Sequence, residues 1–138
     1  MAELICDFEG FESEPYEDLS KGGLVIGCGM MAGNRKYITK EESVSILAYA
    51  VQNLRNEVQS VYPNLNSQQI AGIVSIRWNT PVRKDITQNE DVILAVKSGD
   101  REAVKGFYRK QISSLEKFLD IRLGGLHKRR EKELNLIF

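Results

Sequence analysis

The chain has 138 residues, one domain's worth, and its 42% hydrophobic and 28% charged residues exclude a disordered or fibrous class. Nineteen basic and nineteen acidic residues cancel, so no bulk positive charge points to nucleic acid as a partner. No run approaches the roughly 18 apolar residues of a membrane span. The opening MAELICDFEGFESEPYED lacks the basic-then-apolar order of a secretory signal, and synthesis in a cytoplasm is expected. Cys6 and Cys28 alone make no disulfide framework, and Cys28 is expected as a small packed residue on a strand. One histidine, His127, cannot complete a structural zinc quartet with them. Neither a metal nor another cofactor is expected. His127 lies in the basic run HKRR, a setting that argues against a Ser-His-Asp arrangement.

In chain order, Leu4, Ile5, Phe8 and Phe11 repeat at helical spacing and predict a first helix. Gly10 loosens it and Pro15 cannot continue it. From Tyr16 to Tyr37 glycines punctuate short apolar stretches, LVIGCG the most strand-like, which predicts a small antiparallel hairpin or three-stranded sheet. Thr39-Lys-Glu-Glu42 reads as a capping box opening one long connecting helix, with Val44, Leu47, Ala48, Val51, Leu54, Val58 and Val61 along its apolar stripe. Asn66-Ser-Gln-Gln69 is a second box, before a helix carrying Ile70, Ile73, Val74 and Trp78 inward. Thr87 to Glu90 reads as a third box, with Gly99 as the C-cap of the helix it starts. Asp100 caps a further helix whose inward residues are Val104, Phe107, Ile112, Leu115, Phe118 and Leu119, as far as Gly124-Gly125. A last helix runs through Lys128 to Leu136, its KRREKE run expected as a solvated face.

These elements predict a single α+β domain over residues 1–138, with its sheet segregated at one end. Its expected parts are an N-terminal helix and sheet lobe over 1–38, a connecting helix over 39–62 and a helical lobe over 63–138. A cleft between the lobes is the natural place for a ligand.

Four motifs occur in order along nearly the whole chain. They are Glu9-Gly10-Phe11; Tyr16-Glu17-Asp18 followed by Val25-Ile26-Gly27-Cys28-Gly29; Leu65-Asn66-Ser67-Gln68-Gln69 with Trp78-Asn79 ten residues on; and Gly125-Leu126-His127-Lys128-Arg129-Arg130-Glu131. Phe138 adds a final aromatic. Taken together they resemble the phage-type lysozymes, the endolysin muramidases of the bacteriophage glycoside hydrolases. The resemblance implies a lysozyme-like fold and hydrolysis of the β-1,4 bond between N-acetylmuramic acid and N-acetylglucosamine. Peptidoglycan glycan strands are then the expected partner of a monomeric enzyme. It would wait in the host bacterial cytoplasm for holin-type release to the cell wall, or travel in a phage virion.

The chemistry of such a cleavage can be set beside the resemblance. One carboxylic acid protonates the leaving oxygen, and a second group manages the opposite face of the sugar. The acid needs an apolar setting to hold its proton near neutrality. Glu9 sits between Phe8 and Gly10-Phe11, which suits that role, while Asp18 enters a turn of the sheet where a carboxylate stays solvated. The resemblance gives Glu9 as general acid and Asp18 as its assistant. Gly29, which closes the strand-like stretch, and Met31, just after it, are the expected substrate contacts.

The chain departs from the family pattern at three points. Val25 stands where the family has the threonine whose hydroxyl helps to place the water, and Met30 stands where a histidine is common. The stretch from Asp18 to that slot is one residue longer, with Gly22-Gly23 in the turn. A lost hydrogen bond of about 1–3 kcal/mol predicts roughly ten- to hundredfold slower hydrolysis. A catalytically impaired glycan-binding or structural phage component is the second expectation. A helical interaction protein unrelated to sugars is the third.

Overall fold

The computed structural model describes residues 1–18 and 22–138. Of the lengthened stretch after Asp18, residues 19–21 lie outside the described residues; Gly22 is in a turn, while Gly23, expected in the turn with it, belongs to the following strand and pairs with Asp18. The chain divides into two compact units, Met1–Asn53 and Leu54–Phe138.

The first unit opens with α1 (Ala2–Glu9), which buries Ala2, Ile5 and Cys6 on one stripe. Gly10 ends it at φ 80°, a conformation that glycine adopts without steric cost, and its amide donates to the Cys6 carbonyl at 2.8 Å. Three antiparallel strands follow in the order β1 (Glu12–Asp18), β2 (Gly23–Gly27) and β3 (Met30–Met31). The β1–β2 register slips between Glu12↔Gly27 and Tyr16↔Val25, leaving β1 longer than the span it faces. Pro15, which has no N–H to offer a ladder, falls inside that irregularity. Ile26, Ala32 and Ile38 form a buried cluster, with Phe11, Met30 and Ile46 packed against it.

Thr39 caps α2 (Lys40–Ala50) through the box its sequence predicts: the Glu42 amide donates to Thr39 Oγ1 at 3.1 Å and the Thr39 amide to Glu42 Oε1 at 3.3 Å. The expected connecting helix is present as two segments, α2 and α3 (Gln52–Val61), which abut at Val51. Neither glycine nor proline marks that interruption. Val51 stays near helical geometry at φ −86°, ψ −4°, and only Leu47, Val51 and Val58 of the expected stripe are fully buried.

The second unit is helical: α4 (Ser67–Asn79), α5 (Asp85–Gln88), α6 (Glu90–Lys97), α7 (Arg101–Leu119) and α8 (Gly124–Ile137). Asn66 and Gln69 form the second expected box at α4. From Gly72 to Arg77 α4 is buried on all sides, so it is the central element of this unit. Gly72 lets α8 approach closely, since a Cβ there would lie 2.9 Å from the Glu133 carbonyl oxygen and from Ile137 Cγ1. Asp100 caps α7 by accepting from the Ala103 amide at 3.1 Å. Gly99, at φ 73°, closes α6 as expected: its amide donates to Val96 O and that of Asp100 to Ala95 O.

Several expectations are corrected here. Thr87 is no cap: it lies inside α5, and Asn89 caps α6 instead, accepting from the Asp91 and Val92 amides at 3.0 and 3.3 Å. Gly124-Gly125 opens α8 rather than ending a helix. On α7 the buried stripe is Val104, Tyr108 and Ile112; Leu115, Phe118 and Leu119 are exposed, Phe118 by 86%. Trp78 is half-buried rather than a full core residue.

The KRREKE run departs furthest. Arg129, Arg130 and Glu133 are buried, and Glu133 has no exposed surface. Arg129 Nε donates to Glu133 Oε1 at 2.7 Å, Arg130 Nη1 to Oε2 at 2.8 Å, and the Ser75 hydroxyl to Oε1 at 3.0 Å. Arg130 Nη2 also donates to Asn79 Oδ1 at 2.6 Å, and Gln69 Nε2 to the Ile137 carbonyl at 2.9 Å. A charge can be buried in this way only when partners replace its water. The third and fourth sequence motifs are thus two halves of one α4–α8 contact.

Candidate active site

All four expected site residues belong to the first unit. Glu9 is the last residue of α1 and Asp18 the last of β1; both are half-buried. Asp18 pairs with Gly23, Tyr16 with Val25, and Val25 in turn with Met31. Cross-strand partners share a face, as do residues two apart on one strand. Tyr16, Asp18, Gly23, Val25 and Met31 therefore occupy one face of the sheet. Ile26 and Met30 occupy the other, which packs on Ala32 and Ile38.

Val25 is fully buried on the Asp18 face, and Met31, 57% exposed, lies beside it. A Cβ on Gly23 would stand 3.2 Å from Met31 Cε, so the thioether reaches over the gap that this glycine leaves opposite Asp18. The Tyr16 phenol is pushed up from its ordinary value, first by burial and then by the carboxylates of Asp18, Glu12 and Glu9. The fold has thus brought both expected catalytic carboxylates within electrostatic reach of one side chain.

The Gly27-Cys28-Gly29 turn is pinned from two sides. Cys28 is disulfide-bonded to Cys6, with their Cα atoms 4.9 Å apart, a separation within the usual range. This overturns the expectation of two unlinked thiols. The sequence separation of 22 residues gives no sign of the pairing; α1 and the β2–β3 turn meet only through the tertiary fold. On the other side stands Ser43 of α2. Its hydroxyl donates to Cys28 Sγ at 3.1 Å and accepts from the Cys28 amide at 2.9 Å. Gly27 and Gly29 have φ of 65° and 84°, and a Cβ on Gly27 would collide with Ser43 Oγ. The link ties the helix turn that ends in Glu9 to the residue before Gly29.

Ser43 was not singled out in the sequence. Its only signal there is a small polar residue beside the apolar stripe of α2, too common to identify a role. Among the described residues no group of three or more His, Cys, Asp or Glu side chains could hold a metal ion. A groove of about 660 Å³ in the second unit, walled by Pro81, Val82, Ile112, Leu115, Phe118 and Leu126, contains none of the four expected residues. No helix is long and apolar enough to cross a membrane, among the described residues.

A family model described as Phage lysozyme matches residues 6–133. Among solved structures, an endolysin from Escherichia coli O157:H7 phage FAHEc1 aligns with a TM-score of 0.70 at 21% identity, covering 99% of this chain and 89% of that one. The muramidase domain of SpmX from Asticaccaulis excentricus aligns with a TM-score of 0.66 at 20% identity, covering 99% and 93%. At these identities the likeness is one of fold. No curated protein matches the chain.

Proposed function

Because the chain belongs to the phage lysozyme family, we propose that it is a peptidoglycan-degrading muramidase, acting as one lysozyme-like domain on the β-1,4 bond between N-acetylmuramic acid and N-acetylglucosamine. Glu9 is the general acid that protonates the leaving oxygen, and Asp18 assists at the anomeric carbon. Gly29 and Met31 contact the glycan strand. The observation that carries this reading is the pair of carboxylates, Glu9 at the end of α1 and Asp18 at the end of β1, both acting on the Tyr16 phenol. The protein works as a monomer without a cofactor. It reaches the wall from the host cytoplasm after release, or from a virion.

The test is loss of turbidity of a purified cell-wall suspension, with wild type and Glu9→Gln side by side. Glutamine keeps the shape and removes the transferable proton, so the rate falls by about a hundredfold or more. Equal lysis by both proteins refutes the assignment.

A second reading, a lysozyme-like protein that binds glycan without cutting it, is favoured by one observation. Val25 on the Asp18 face is fully buried and has no hydroxyl to offer a water molecule. Sedimentation with the wall, without turbidity loss, is its signature.

A further inference from the structure

The sheet register puts one hydroxyl-bearing side chain directly across from Val25. Tyr16 is the direct cross-strand partner of Val25 and lies two residues before Asp18 on the same strand and the same face. Gly23, opposite Asp18, has no side chain to fill the space beside that carboxylate. Met31 closes this row on the far side of Val25 and reaches over Gly23. The face therefore carries an acid, a residue with no side chain and a phenol in one neighbourhood, with Val25 buried among them and Met31 alongside.

We infer that the Tyr16 hydroxyl holds the attacking water beside Asp18, in place of the hydroxyl that Val25 lacks. This rests on the muramidase reading and adds to it a positioning residue outside the acid pair. A phenol is suited to the task, since its oxygen accepts one hydrogen bond from water while its O–H donates another. For the phenol to donate, it must keep its proton at working pH. Its burial and the neighbouring carboxylates of Asp18, Glu12 and Glu9 act in that direction. Tyr16 transfers no proton and forms no bond to sugar; proton transfer stays with Glu9 and Asp18.

The experiment compares wild type, Tyr16→Phe, and Tyr16→Phe combined with Val25→Thr, measuring kcat and KM on cell-wall fragments together with the melting temperature. Tyr16→Phe should lower kcat by about tenfold or more, with KM and melting temperature little changed, because one water ligand is lost and the ring is kept. Adding Val25→Thr should restore most of the loss by returning a hydroxyl to the same face. Ultraviolet titration of the phenolate, as wild type minus Tyr16→Phe, gives a readout independent of turnover. Its Tyr16 transition should move to lower pH in Asp18→Asn. An active wild type matched by Tyr16→Phe overturns this inference alone. So does a kcat loss that Val25→Thr leaves unrepaired, or a phenolate transition that ignores Asp18→Asn. A wild type that binds the wall and never cuts it overturns the muramidase reading, and this inference with it.

Discussion

Replacing Cys6 and Cys28 together by alanine removes the covalent link between α1 and the turn that carries Gly29. Alanine is preferred to serine because both sites are buried, and a serine hydroxyl there would add a cost unrelated to the link. The bridge spans a sequence separation of 22 residues. Chain-entropy scaling for a loop of that length gives about 3 kcal/mol of stabilisation, through restriction of the unfolded state. For a chain of 138 residues that is a melting shift of roughly 10 °C. The loss should fall on the Met1–Asn53 unit, which holds both cysteines. Thermal melts of oxidised wild type, reduced wild type and the double alanine variant test this. The reduced wild type should melt close to the variant, and the variant should ignore reductant. Turnover should fall as well, because Cys6 lies less than one helix turn before Glu9 and Cys28 adjoins Gly29. A variant that melts within about 2 °C of the oxidised wild type would refute the loop argument, since even a fraction of 3 kcal/mol exceeds that shift.

The other expectations are narrower. Val25→Thr alone should leave hydrolysis within a few-fold of wild type, because Tyr16 already serves the water, at a cost of at most about 1–3 kcal/mol for a hydroxyl in a fully buried site; a tenfold gain in turbidity loss would mean that Tyr16 does not hold the water. Asp18→Asn should reduce turbidity loss while sedimentation with the wall persists, and loss of both in a folded protein would make Asp18 a binding residue. The Glu116 carboxyl is held below its ordinary range, chiefly by the Leu123 amide at 2.8 Å and then by His127 at 3.1 Å. A carboxylate depressed in the folded state contributes stability above its unfolded pKa, and that contribution is lost as pH falls through the folded one. Glu116→Gln should therefore melt below wild type at neutral pH and converge with it on acidification, in melts run as a pH series. Gly72→Ala should destabilise the second unit by about 1–3 kcal/mol in urea titration, because its Cβ would press on the Glu133 carbonyl oxygen and force α4 and α8 apart.

Much of this architecture depends on chemistry between residues close in sequence, and that part was legible from the sequence. The boxes at Thr39 and Asn66 need only a side chain and an amide three residues away, and both form. Gly10 and Gly99 end helices because each can take a positive φ at no steric cost. The order of the motifs was enough to indicate the family, and with it Glu9 and Asp18 as the acids to consider. One cap was misplaced by local reading: Asn89 took the cap that Thr87 was expected to provide, and Thr87 was buried inside α5. What no local rule could supply was partnership at long range. Arg129, Arg130 and Glu133 read as a solvated run because charged residues stay in water unless a partner replaces it, and Ser75 and Asn79 lie more than fifty residues away. Cys6 and Cys28 read as unlinked for the same reason: only the packing of α1 against the β2–β3 turn brings their Cα atoms to 4.9 Å. The sheet register also assigned Tyr16, Asp18 and Val25 to one face. Hydrogen bonding between strands sets that register, and no single strand's sequence contains it.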